Sequence, residues 1–228
     1  MKRSKTYRQE EERIDRSVSY SPKTALEVLK SLPDRKFDES VEADWKLSVD
    51  PRKADQLIRG TVTLPHGTGK TVRVAVFAKG PQAEAARQAG ADIVGDDDLV
   101  ESVSKGNIDF DVAIATPELM GKVGRLGRIL GPRGLMPNPR TGTVTTDTAK
   151  AVKEIKGGKI AFRVDKDGNL CCLIGKKSFS TDDLLDNYKA VATEINHLRP
   201  STVKGKYITH MAFSTTMSPG ISVDLNTL

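Results

Sequence analysis

In His66-Gly67-Thr68-Gly69-Lys70-Thr71, glycines, a lysine and hydroxyls stand together much as they do around a bound phosphate. A phosphate loop needs a glycine, four residues, then Gly-Lys-Ser/Thr, so that backbone amides wrap the phosphates at a helix start. Here Leu64 holds the first glycine position, and the apolar run Val72–Ala78 that follows reads as a strand. A hinge or an RNA-facing turn is the better reading. A dinucleotide site would need a glycine run after the first strand of an α/β unit, and Lys79-Gly80-Pro81 lacks one. His66, His197 and His210 are far apart, without partners at metal-ligand spacing, and read as surface or loop residues. No Gly-x-Ser-x-Gly elbow occurs. Cys171 and Cys172 are adjacent, and a bridge between neighbours is strained, so both read as reduced strand thiols, as in a cytosol. Together these absences argue against a catalytic centre, a metal or a cofactor.

Charge points elsewhere. Lys and Arg number 36 against 30 Asp and Glu, a net charge of +6. Such a surplus favours a polyanionic partner through counterion release. Its distribution says more: no acid occurs between Glu118 and Asp147, where Lys122, Arg125, Arg128, Arg133 and Arg140 lie. None occurs between Glu194 and Asp224 either, a stretch with Arg199, Lys204 and Lys206, while Asp96, Asp97 and Asp98 cluster elsewhere. Candidate RNA contacts are the arm Lys2, Arg3, Lys5 and Arg8, the pair Lys36-Phe37, and the Arg-rich Gly/Pro segment. The arm reads equally well as a frayed solubilising tail, and Phe37 as ordinary core. Aromatic residues are only 5% of the chain, so shape or backbone reading of folded RNA fits better than base stacking. The stretch Ser214–Gly220 offers hydroxyls and a Gly/Pro turn suited to ribose and phosphate contacts, with a plain strand end as the alternative.

The elements that must position these residues follow from periodicity. Ser21-Pro22 starts a helix, with apolar Ala25, Leu26, Val28, Leu29 and Leu32, that Pro33 ends. Val41–Val49 alternates as a half-buried strand, and Leu57–Leu64 reads as another. The middle alternates differently. A doubly buried strand at Val72–Ala78 leads to a helix from Pro81 to Gly90, a strand at Asp92–Val94, a helix at Asp97–Lys105 and a strand at Val112–Ala115. That order implies a small parallel sheet flanked by helices. Gly121–Gly142 reads as an irregular exposed basic loop, and Thr146–Ile155 as a helix stopped at Gly157-Gly158. Ile160–Val164 and Leu170–Ile174 flank Asp165-Lys166-Asp167-Gly168 as a hairpin would. Ser180 and Asp183 resemble a capping box for a long helix, and Tyr207–Thr216 is a last strand candidate. The two chain ends are each short for a core of their own, so they are expected to pair into one α+β domain around an inserted α/β, Rossmann-like domain. The expected boundaries are 1–66 with 158–228, and 67–157. No run approaches eighteen apolar residues, and Met1–Asp15 mixes charges without an apolar stretch, so neither a membrane span nor a secretory signal is expected.

Several blocks carry a resemblance. Val49–Gln56, Arg59-Gly60-Thr61-Val62, Leu64–Lys70, Gly127–Pro139, Ile155–Lys159 and Thr215-Thr216-Met217 resemble, in order, the bacterial large-subunit ribosomal protein L-one family. The resemblance implies two domains with a movable hinge, the second inserted in the first. It implies a cytoplasmic, ribosome-bound protein that holds the mobile stalk of large-subunit ribosomal RNA beside the exit site for deacylated tRNA. It further implies that the free protein represses translation of its own operon mRNA. Matching the family's RNA-contact segments are Lys36, Phe37, Ser40 and Glu42, then Arg163, Asp165, Lys166 and Gly168, then Ser214, Thr216, Met217, Ser218 and Gly220. Three residues depart from the pattern: Ser40 stands for a usual Thr, Trp45 for a small residue, and Ser218 for a Gly. A nucleotide-dependent enzyme, argued by Gly67–Lys70, and a generic nucleic-acid chaperone, argued by charge, are the competing readings.

Overall fold

The computed structural model describes residues 3–225. Helices α1 (Lys5–Glu11) and α2 (Pro22–Ser31) precede strands β1 (Ser40–Leu47), β2 (Arg59–Thr63) and β3 (Val74–Phe77). Then come α3 (Gly80–Gln88), β4 (Ile93–Gly95), α4 (Asp97–Ser104), β5 (Val112–Ala115), the one-turn helices α5 (Met120–Val123) and α6 (Gly127–Leu130), and α7 (Thr148–Lys156). The chain ends with β6 (Lys159–Arg163), β7 (Asn169–Lys176), α8 (Thr181–His197), β8 (Ile208–Thr215) and β9 (Ile221–Ser222). It divides into two compact units. The first joins residues up to Gly69 with those from Ile160 onward, and the second is Lys70–Lys159. No helix among the described residues is long and apolar enough to cross a membrane.

The first unit is α+β. Its four-stranded sheet has the order β7-β1-β8-β9, with β1 antiparallel to both neighbours. Because strand side chains alternate between faces, Val41, Ala43, Trp45 and Leu47 point into the core with Leu170, Cys172, Ile174, Met211 and Phe213. Leu26 and Leu29 of α2 and Leu184, Tyr188, Val191 and Ile195 of α8 cover that face. Ser21 caps α2, and the capping box of Ser180 with Asp183 fixes the start of α8. Trp45 is buried, its ring stacked on Tyr188 with centroids 6.3 Å apart, and Phe213 meets Tyr188 edge-on at 5.1 Å. Cys171 and Cys172 are free thiols on alternate faces of β7.

Two local expectations are corrected here. Strands β6 and β7 do not form one hairpin: β6 pairs with β2 in a separate two-stranded sheet, while β7 joins β1. The turn between them is tight, with Asp165 N–H bonded to Asn169 O at 2.8 Å, but the long-range pairings pull the strands apart. The arm is no frayed tail over its described part. Ser4 caps α1, Arg3 pairs with Glu11 at 2.9 Å, and buried Glu10 pairs with Arg35 at 2.5 Å. Lys2 lies outside the described residues.

The second unit is α/β, a parallel sheet of order β4-β3-β5. All four residues of β3 are buried and serve two cores. Val74 and Val76 pack with Ala86 of α3 and Val152 of α7, whereas Ala75 and Phe77 pack with Val103 of α4. Gly121–Gly142 is less irregular than expected: Val123, Leu126 and Leu130 are buried in the Phe77 core, and this apolar spacing winds the chain into helical turns.

Candidate RNA interface

Two of the three expected contact segments meet at one end of the sheet. Antiparallel pairing puts the start of β1 beside the ends of both neighbours, with Ser40 opposite Lys176 and Val41 opposite Thr215. Ser40 N–H donates to Thr216 Oγ1 at 3.1 Å, and Thr216 N–H returns a bond to Ser40 O at 3.2 Å. Lys176 Nζ donates to Ser40 Oγ at 2.9 Å.

The organiser of this junction is Glu39, which the motifs did not single out. It is 2% exposed. Two residues before Val41, it stands in phase with the inward set of β1, and that phase was the available signal. Its Oε1 accepts from Thr215 Oγ1 at 3.1 Å and from the Met217 N–H at 3.0 Å, as a buried carboxylate must. Within the turn, Thr215 N–H donates to Ser218 Oγ at 2.9 Å and the Ser218 hydroxyl donates to Pro219 O at 3.0 Å. The Ser218 side chain is thus folded back into the turn, and half-buried.

The loop before β1 is tied equally well. Lys177 is buried, donates to Leu32 O at 2.7 Å and pairs with Asp34 at 2.9 Å. The hydrogen bond and charge of Lys177 hold the Asp34 carboxyl below the usual carboxylate range. Ser178 donates to both carboxylate oxygens of Asp38, at 3.1 and 2.7 Å. Lys30, Arg35, Lys36, Phe37 and Lys177 line a depression of about 600 Å³. Phe37 is not core: it is 52% exposed, and Met217 is 55% exposed. Among the described residues only Val18 is a third exposed large apolar side chain. Gly220 is exposed beyond buried Pro219.

The third segment, Arg163–Gly168, lies at the other end of β1. Lys46 is opposite Asn169 and donates to Asp167 O, and Leu47 N–H donates to Gly168 O at 2.9 Å. Six residues of strand separate this end from Ser40, about 20 Å at 3.3 Å per residue. Arg163 and Lys166 are exposed. Asp165 and Gly168 instead build the turn. The Asp165 carboxylate accepts from the N–H groups of Asn169 and Asp167 at 2.7 and 2.8 Å, and the Asn169 bonds above all lower its pKa. Gly168 is buried at φ +80, where a Cβ would come within 3.0 Å of Leu47 O.

Between the two ends the outward face of the sheet is acidic. Glu42 is exposed opposite Ser214, and Ser214 Oγ donates to Asp44 at 3.3 Å. Carboxylates repel phosphates but accept from ribose hydroxyls and base amino groups. Cys171 shares this face, and burial, then the hydrogen bond and charge of Asp44, push its thiol up to about 12. Burial raises Cys172 to about 12 as well, so neither is a poised nucleophile. Lys70, the would-be phosphate lysine, pairs with Asp111 at 2.8 Å, and the chain runs on into β3.

Comparison with known proteins gives the family. Residues 29–219 match the Ribosomal protein L1p/L10e family. The chain is 64% identical over 228 residues to the large ribosomal subunit protein uL1 of Bifidobacterium longum strain DJO10A, covering 100% of this chain and 99% of that protein. It is 62% identical over 226 residues to the protein of that name from Thermobifida fusca (99% and 96% covered) and 61% identical over 225 to that from Streptomyces avermitilis (99% and 93%). The chain belongs to the Ribosomal protein L1p/L10e family, a family of ribosomal proteins and not of enzymes.

Proposed function

We propose that this chain is a component of the large ribosomal subunit that binds the mobile stalk of large-subunit ribosomal RNA near the tRNA exit site. In this reading it assists release of deacylated tRNA and, as free protein, represses translation of its own operon mRNA. The first unit acts as the RNA-binding domain and the second as the inserted domain. Contacts come from Lys36, Phe37, Ser40, Glu42, Ser214, Thr216, Met217, Ser218 and Gly220 along one end of the sheet, and from Arg163, Asp165, Lys166 and Gly168 at the other. Asp165 and Gly168 contribute by shaping their turn, and Ser218 through its backbone, because their side-chain positions are engaged within the protein.

The observation that carries the reading is the pair of exposed apolar side chains near the Ser40–Thr216 bonds: Met217, whose N–H is held by the buried Glu39, and Phe37, which lines the adjoining depression. Apolar tips over a rigid polar seam exclude water from hydrogen bonds to ribose, as shape-selective RNA recognition requires. Titrating the full chain with a stalk ribosomal RNA fragment and with an unrelated hairpin of equal length tests it. Preference for the stalk fragment by a hundredfold or more at 150 mM salt is expected, roughly the 10³-fold or larger ratios of specific sites less some loss in a fragment. Equal affinity for both RNAs would overturn specific recognition. Co-sedimentation with large subunits tests assembly separately.

A further inference from the structure

The Arg-rich turns of the second unit are not used by the interface above. Burial of Val123, Leu126 and Leu130 directs Lys122, Arg125 and Arg128 outward, and Arg133 and Arg140 are exposed in the same acid-free segment. Lys122 pairs with Asp97 of α4 at 2.7 Å. The guanidinium groups of Arg125, Arg128, Arg133 and Arg140 have neither an ion-pair nor a hydrogen-bond partner among the described residues. The neighbouring acids are Glu118, in the turn that leads into α5, and Asp97, Asp98 and Glu101 of α4, which packs against the Gly124–Leu126 turn.

A second observation concerns backbone. Gly121, Gly124 and Gly127 recur every third residue, which sets them on one side of the helical turns. Gly124 and Gly127 have ordinary right-handed torsions, φ −55 with ψ −32 and −31. A Cβ added at any of the three would meet nothing within 4 Å. The fold therefore does not require glycine there, and helix propensity favours alanine by about 1 kcal/mol at each. What the missing Cβ supplies is bare chain that another molecule's backbone can approach closely. Gly121–Gly142 holds no aromatic residue and so lacks the ring platforms on which single-strand binders stack successive bases.

We propose that this Arg/Gly face of the second unit is a second RNA-binding surface, which grips the sugar–phosphate backbone of double-helical RNA without reading sequence. The unpaired guanidiniums neutralise phosphates, and the glycine stripe lets the sugar–phosphate chain sit against the protein backbone. The proposal concerns a different face from the stalk interface and does not depend on it.

The test uses the full chain and a labelled 20-base-pair RNA duplex of unrelated sequence, followed by anisotropy from 50 to 200 mM salt. It is run both free and after saturation with unlabelled stalk RNA fragment, so that failure of the stalk reading shows separately. Replacing Arg125→Gln, Arg128→Gln and Arg133→Gln together is expected to weaken duplex binding at least tenfold and to reduce the salt slope by about two to three. Stalk-fragment affinity should stay within about threefold, well under the tenfold that 1.4 kcal/mol would bring. The control is Lys150→Gln, Lys153→Gln and Lys156→Gln on α7, which packs against the opposite face of the same sheet. If the control weakens duplex binding as much, or the arginine variant binds like the parent, the face is not a binding surface. Polyglutamate competing as well as duplex RNA would equally overturn an RNA partner. The doubly substituted Gly124→Ala, Gly127→Ala chain keeps every charge. It should lose duplex affinity severalfold with an unlowered melting temperature, and parental affinity would refute the close backbone approach.

Discussion

The sheet end of the first unit and the Arg/Gly face of the second both expose basic residues, yet they treat polar groups in opposite ways. At the sheet end Glu39, Lys177, Asp38, Thr215 and Ser218 are bonded to one another or to backbone before any partner arrives. On the other face four guanidiniums have no partner among the described residues, and the glycines between them are bare. A prebonded surface holds its shape and loses little entropy on binding, so it can select a register. Free arginines lose rotamer freedom when they bind, and what they contribute is salt-dependent attraction. Specificity and general affinity are therefore expected to respond to different substitutions.

The sharpest break of that contrast is Glu39→Ala. It removes the acceptor of both Thr215 Oγ1 and the Met217 N–H. Each stranded buried donor costs about 1–3 kcal/mol, so stability should fall by roughly 3 kcal/mol and stalk affinity by about a hundredfold. Glu39→Gln keeps one acceptor and should lose less. Denaturant midpoints and RNA titrations at fixed salt read both effects. An Ala variant that melts and binds like the parent would show that the turn does not need its carboxylate.

Next in size is Thr216→Val, which takes the acceptor from the Ser40 N–H and removes the hydroxyl proposed to contact RNA. A loss of about five- to a hundredfold is expected, from roughly 1–3 kcal/mol per unpaired group. Ser218→Gly should change affinity much less, because the Ser218 hydroxyl already turns inward, whereas Ser218→Leu cannot make that turn. At the far end of β1 a smaller effect is expected. Arg163→Ala or Lys166→Ala should weaken stalk binding about two- to tenfold and lower the salt slope by about one each, since each removes one cation. A change of affinity with no change of slope would mean that these residues read shape and not phosphate.

How much of this was legible depends on the range of the interaction. The alternation Val41–Leu47, the capping box at Ser180 and the unbroken apolar β3 are local signals, and each produced the expected element. Buried Trp45 followed from its phase alone. The turn at Asp165–Gly168 was visible too, but its strands took partners far away in sequence, which turn chemistry does not encode. Gly121–Gly142 looked irregular because glycine and proline mask a helical spacing that only the Phe77 core makes worth adopting. Lys177 and Glu39 were the least legible site residues. Charged side chains are rarely buried, and only the fold brings Leu32 O, Pro33 O, Thr215 and Met217 to them.

The smallest expected effect tests the contrast through one residue type. In β2, a Cβ at Gly60 would fall 2.6 Å from Leu198 Cδ1 and 2.9 Å from Phe162 Cζ. Phe162 is buried in the core of the first unit and Leu198 packs against its edge, so the ring resists more than the leucine tip, and Gly60→Ala should cost about 1 kcal/mol by overpacking. At Gly124 the same substitution meets open space at helical torsions. It restricts the unfolded chain and introduces no clash, so Gly124→Ala should stabilise the protein by about 0.4–1 kcal/mol. The two substitutions add the same methyl group and should move the unfolding midpoint in opposite directions. Urea titration of each single variant measures this directly, with unchanged m-values confirming that each shift of midpoint is a change of stability and not of the surface exposed on unfolding. If Gly124→Ala destabilises as Gly60→Ala does, the fold itself needs that glycine, and its bareness is no sign of an external backbone.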